Sequence, residues 1–162
     1  MTTEPALWKQ VKAHGFTPEQ ILEAFQLTAP PVDPIAIAQT LGVKVLLVDS
    51  DAWDGAVDSH EDGRATIYIN KGSSPFRQRF TVAHELGHLL KHPTGVAFRD
   101  ELSRAGWDPR EIEANGFAAE LLMPSTMVAA YARVWPLESL HQVFGVSKEA
   151  MGYRLKNLGY RV

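Results

Sequence analysis

The chain has 162 residues, 45% of them hydrophobic and 22% charged, which is the make-up of an ordinary globule with length for one domain and its core. The net charge of −3 argues against a general affinity for nucleic acid or anionic membrane, and the absence of cysteine excludes disulfides and thiolate metal ligands. Met1 to Phe16 carries Glu4, Lys9 and Lys12 and no unbroken apolar stretch, so no secretory signal is expected. No run approaches the roughly 18 apolar residues of a membrane span, and the expected location is the cytoplasm.

Leu7, Trp8, Val11 and Phe16 predict a first short helix. Thr17-Pro18-Glu19-Gln20 then reads as an N-cap, a proline at the first helical position and a glutamine at the third, opening a helix through about Leu27. After the break at Ala29-Pro30-Pro31-Val32, Asp33-Pro34 repeats the cap-then-proline signal for a short helix stopped at Gly42. The β-branched run Val43 to Val48 predicts a strand. Ala56-Val57-Asp58 and Ala65 to Ile69 predict a hairpin across the polar turn His60-Glu61-Asp62-Gly63. A helix starts at Ser73-Ser74-Pro75 and ends at His92-Pro93. Residues 93–107 read as a loop. Asp108-Pro109 opens a helix to Leu122, and Ser125 to about Val134 forms another. Leu137–Phe144, a Gly145 turn and Ser147–Leu158 close the chain with a helix-turn-helix rhythm. The predicted fold is α+β, a small N-terminal antiparallel or mixed sheet packed on a mainly helical core. Trp8, Trp53, Trp107 and Trp135 are expected in that core.

The chemistry concentrates at His84-Glu85-Leu86-Gly87-His88. Two histidines four apart on a helix share one face, so both imidazoles can reach one metal ion. Zinc lowers the pKa of a water it binds to about 7, and a glutamate beside the first histidine is placed to take the proton. Phe80, Val82, Ala83, Leu86, Leu89 and Leu90 make the helix strongly apolar, so a polar trio within it needs partners. A catalytic zinc site takes three protein ligands. His92 stands about 12 Å along the helix axis from His84, too far to share an ion, and the dipole favours it as a C-terminal residue. A carboxylate remains, and the next long helix offers Glu111 and Glu113. Glu111 shares a face with Asn115, Ala114 and Ala118, small residues that would admit a close helix, and Asn115 is placed to hold a ligand histidine or nearby backbone from outside the ligand shell. Glu111 could equally complete a capping box after Asp108, and Glu113 stays open on spacing alone.

Two blocks carry a family resemblance. Phe80-Thr81-Val82-Ala83-His84-Glu85-Leu86-Gly87-His88 and Glu111-Ile112-Glu113-Ala114-Asn115-Gly116-Phe117-Ala118-Ala119-Glu120-Leu121-Leu122-Met123-Pro124 resemble the ImmA/IrrE metallopeptidases over roughly residues 31–160. Residues 1–30 then form a helical extension, and 31–162 a single zincin-like domain ending in the helical pair at about 137–158. The resemblance implies Zn2+ held by His84, His88 and Glu111 with Glu85 as general base. It also implies an intracellular endopeptidase that cleaves a helix-turn-helix repressor and so relieves repression. A zinc-containing regulator or toxin–antitoxin partner that binds a repressor or DNA without cutting is the alternative. Direct nucleic-acid binding is not expected: Val146, Met151, Leu155 and Leu158 predict that the C-terminal pair packs on the core, although Lys148, Arg154, Lys156 and Arg161 make it locally basic. Strand Ala65–Asn70 is the expected cleft edge for an extended substrate. His60 and Tyr68 are the candidates for an oxyanion partner.

Overall fold

The computed structural model describes residues 16–59, 64–91, 98–100 and 108–161; the first predicted helix, the His60–Gly63 turn and His92 lie outside them. The fold is α+β. Helix α1 (Pro18–Ala24) begins with the predicted capping box, in which the Thr17 hydroxyl accepts from Gln20 N and the Gln20 side chain accepts from Thr17 N. Helix α2 (Pro34–Thr40) is capped by Asp33, whose carboxylate accepts from Ile35 N and Ala36 N. Gly42, with φ of 84°, turns the chain into β1 (Lys44–Val48). Strands β2 (Gly55–Ser59) and β3 (Ala65–Asn70) are the predicted hairpin pair. Helix α3 (Pro75–Lys91) carries the histidine motif, and strand β4 (Phe98–Asp100) follows it. Helices α4 (Pro109–Leu122), α5 (Ser125–Tyr131), α6 (Leu140–Phe144) and α7 (Lys148–Asn157) complete the chain.

The sheet is mixed, in the order β1-β3-β2-β4. β1 runs parallel to β3, whereas β2 runs antiparallel to both β3 and β4. Two expectations change as a result. The stretch read as an unstructured loop over 93–107 contains β4, three residues whose pairing with Gly55, Ala56 and Val57 no local pattern announces. β3 is an inner strand bonded on both sides, so it cannot be the edge to which a substrate adds; the outer strands are β1 and β4.

One face of β3, through Ala65, Ile67 and Ile69, meets α3 and the rest of a continuous core that includes Leu86, Leu89, Leu121, Leu122 and Phe144. Period-two alternation puts Tyr68 on the opposite face, away from the histidine motif, which removes it as an oxyanion partner. The tryptophans also depart from expectation: Trp53 is half-buried and Trp135 is 48% exposed, while Trp8 and Trp107 fall outside the described residues.

The C-terminal pair packs on the core as its apolar pattern predicts, with Val146, Met151 and Leu155 buried. Two arginines fasten it. Arg79 of α3 donates to the carbonyls of Gly145 and Val32, and Arg154 of α7 donates to Met123 O at 2.9 Å. Burial pulls both guanidinium pKa values below the ordinary arginine value, Asp33 and Glu120 opposing the shift. Gly145 is in the left-handed region at φ of 69°, and a Cβ there would sit 3.0 Å from Arg79 Nε. Gly145→Ala should therefore lower unfolding stability by about 1–3 kcal/mol, read from the urea midpoint.

Candidate metal centre

Helix α3 is buried over ten consecutive residues, Thr81 to Leu90, so both motif histidines and the glutamate between them are inside the protein. His84 is 7% exposed, Glu85 0% and His88 1%. The two imidazoles lie edge to face, centroids 4.7 Å apart and planes at 88°. Such burial is costly without partners, and α4 supplies one. Glu111 Oε2 is 3.0 Å from His84 Nε2 and Glu111 Oε1 is 2.7 Å from His88 Nε2. One carboxylate thus spans both rings, and a ligand atom from each of the three residues lies within 4.8 Å of the others. Glu113 instead points to Lys91, 3.7 Å away and well exposed. Spacing left the two acids open; the packing brings Glu111 to the histidines.

The approach of α4 depends on small residues. Gly87 leaves room for Phe117, whose Cδ1 would be 3.0 Å from any Cβ at that position. Ala114 and Ala118 are buried at the same interface. Asp108 caps α4 through Arg110 N. Its carboxyl is held below the usual range by the Arg110 side-chain hydrogen bond, then by the backbone hydrogen bond from Arg110. A depressed folded pKa stabilises above the unfolded value and is lost as pH falls through the folded one, so this cap fails only in acid.

Strand β2 closes the other side. A Cβ on Gly55 would collide with Thr81 Cγ2 and come to 3.2 Å from Glu85 Oε1. Asp54 fixes this corner through an ion pair with Arg77 at 2.6 Å. The Glu85 carboxylate is buried between α3 and β2, and neither oxygen has a hydrogen-bond partner among the described residues. Sequence reasoning did not single out Gly55, although a glycine opening a strand is a known sign of close backbone approach.

The group opens onto a cleft of about 710 Å³ walled by α3, α4 and α7, with His84, Glu111, Asn115 and Tyr153 among its lining residues. Asn115 faces that cleft one turn beyond Glu111. Two histidine nitrogens and a carboxylate form a donor set that fits a divalent ion, and Glu85, next to His84 in the chain, adds a buried carboxylate with no hydrogen-bond partner among the described residues. No helix among the described residues is long and apolar enough to cross a membrane.

Comparison with known proteins finds the same region. The family model for the IrrE N-terminal-like domain, a peptidase family, matches residues 38–156. A protein of Bacillus phage phi105 named "Uncharacterized immunity region protein 2" is 35% identical over 85 residues, covering 51% of this chain and 54% of the relative. "Metallopeptidase ImmA" of Bacillus subtilis (strain 168) is 30% identical over 97 residues, covering 57% of this chain and 56% of the relative. The chain thus matches just over half the length of each of these curated relatives.

Two substitutions test the geometry. Glu111→Ala should weaken zinc binding at least about tenfold in competition with a chromophoric chelator, whereas Glu113→Ala should leave it unchanged. Gly55→Ala should cost about 1–3 kcal/mol of stability in chemical denaturation, because the methyl group has no space against Thr81.

Proposed function

Because the chain belongs to the IrrE N-terminal-like family of peptidases, we propose that it is a zinc-dependent endopeptidase with His84, His88 and Glu111 as ligands and Glu85 as general base. One observation carries the reading: Glu111 reaches across from a second helix to both motif histidines, beside a buried carboxylate with no other partner among the described residues. The His-His-Glu set, with an HExxH spacing on one helix, supports zinc as the ion.

When bound there, the ion supplies Lewis acidity for the scissile carbonyl and lowers the pKa of a water. Glu85 then acts as base and afterwards as acid: its carboxylate accepts the proton of the attacking water and returns it to the departing amine. Its burial suits that task, because no donor among the described residues holds the carboxylate. Glu111, anchored on a capped helix, keeps the two imidazoles in one orientation. Asn115 is assigned a positioning role from outside the ligand shell, its amide offered to a ligand or to substrate backbone along the cleft. No oxyanion partner is assigned.

The substrate proposed is a protein, a helix-turn-helix repressor. The resemblance in the two sequence blocks supports it, and a relative named for a phage immunity region is in keeping with it. Binding such a repressor without cutting it is the competing reading.

Glu85→Gln should retain zinc at the wild-type stoichiometry and lower peptide hydrolysis by roughly 10²–10⁴-fold. Retained hydrolysis in purified variant protein overturns the base assignment. Incubation with candidate repressors, with and without chelator, separates cutting from holding: chelator-sensitive fragments support the peptidase, and an intact, stably bound repressor supports the competing reading.

A further inference from the structure

Seven large hydrophobic side chains are exposed among the described residues. Three of them, Phe76 at 38%, Ile112 at 57% and Tyr153 at 64%, line the one cleft that holds His84 and Glu111. Each comes from a different helix: Phe76 from α3, Ile112 from α4 and Tyr153 from α7. Scattered apolar residues on a surface need no explanation, but convergence of three beside a polar centre does. The cleft's two arginines are already engaged by other lining residues, Arg77 by Asp54 and Arg154 by the Met123 carbonyl, which leaves little to recognise an acidic side chain. Space is available as well, since a Cβ on Gly116, another lining residue, would meet nothing within 4 Å.

We propose that Phe76, Ile112 and Tyr153 form a subsite for a bulky apolar side chain of the polypeptide substrate, with Tyr153 as the residue through which the C-terminal helical pair sets specificity. The pair supports the subsite twice. Tyr153 projects from α7 itself, and His141 of α6 meets the Phe76 ring edge-on at 6.2 Å. The subsite rests on the peptidase reading of the same cleft, because that reading brings a polypeptide to it.

The test measures binding and needs no known substrate. Two hydroxamates of the same backbone, one bearing a benzyl group and one bearing hydrogen, are titrated calorimetrically into the zinc-loaded full chain. Both reach the metal, and only the benzyl compound reaches the subsite. Wild-type protein should hold the benzyl compound about tenfold tighter. Tyr153→Ala, and Gly116→Leu, which fills open space without touching the core, should each reduce that ratio to less than about threefold, while Tyr153→Phe should keep it. The unsubstituted compound is the internal reference for the metal. Equal affinities in wild type, or a benzyl advantage untouched in both Tyr153→Ala and Gly116→Leu, overturn the subsite and leave the metal centre standing. If neither hydroxamate binds zinc-loaded protein, the peptidase reading falls and the subsite with it.

Discussion

The contact between α3 and α4 is the constraint on which the remainder depends. Glycine at 87 and alanine at 114 and 118 remove the side chains that would hold the two helices apart, and Phe117 fills the space left at Gly87. Only at that separation can one carboxylate on α4 sit 3.0 and 2.7 Å from two imidazoles on α3. Burying three polar groups in an apolar helix pair is unfavourable taken alone. It is tolerated because the groups partner one another, and because Leu86, Leu89, Leu121 and Leu122 bury apolar surface alongside. The three groups sit on regular helices buried against each other, so their spacing follows from backbone packing.

A second constraint acts from the sheet. β2 starts against α3 at Gly55, and the Asp54–Arg77 ion pair ties the residue before it to the helix. Glu85 is thereby enclosed where the β2 backbone passes its carboxylate at Gly55. His84, His88 and Glu111 are fixed by mutual contacts, whereas the Glu85 carboxylate is fixed by close packing, with neither oxygen hydrogen-bonded among the described residues.

The parts of the molecule legible in the sequence were those encoded locally. Thr17 with Gln20, Asp33 with Pro34 and Asp108 with Pro109 announce helix starts within four residues, and His84 and His88 share a face because one helical turn separates them. Glu111 was a different matter. Its spacing favoured it as a ligand but served a helix cap as well, and Glu113 stayed a lesser candidate two positions on; the packing of α4 against α3 decides between them. Strand order was invisible for the same reason. β1 and β3 are parallel neighbours with β2 lying between them in the chain, and β4 is a three-residue strand that forms only because β2 offers an edge. Tyr68 looked available as a polar group before the helix, yet alternation along β3 turns it to the far face once the buried set Ala65, Ile67 and Ile69 is fixed.

The C-terminal pair shows how a helix-turn-helix rhythm can serve as the wall of a cleft. Here α7 spends its apolar side, Met151 and Leu155, on the core, and Arg154 on the Met123 carbonyl at the end of α4. Ala150, Tyr153 and Asn157 line the cleft beside the metal group. The turn that would let the pair act as an independent module is itself fastened, since Gly145 presents its carbonyl to Arg79 of α3. Arg79 therefore couples the helix bearing both histidines to the element that shapes the cleft opposite them.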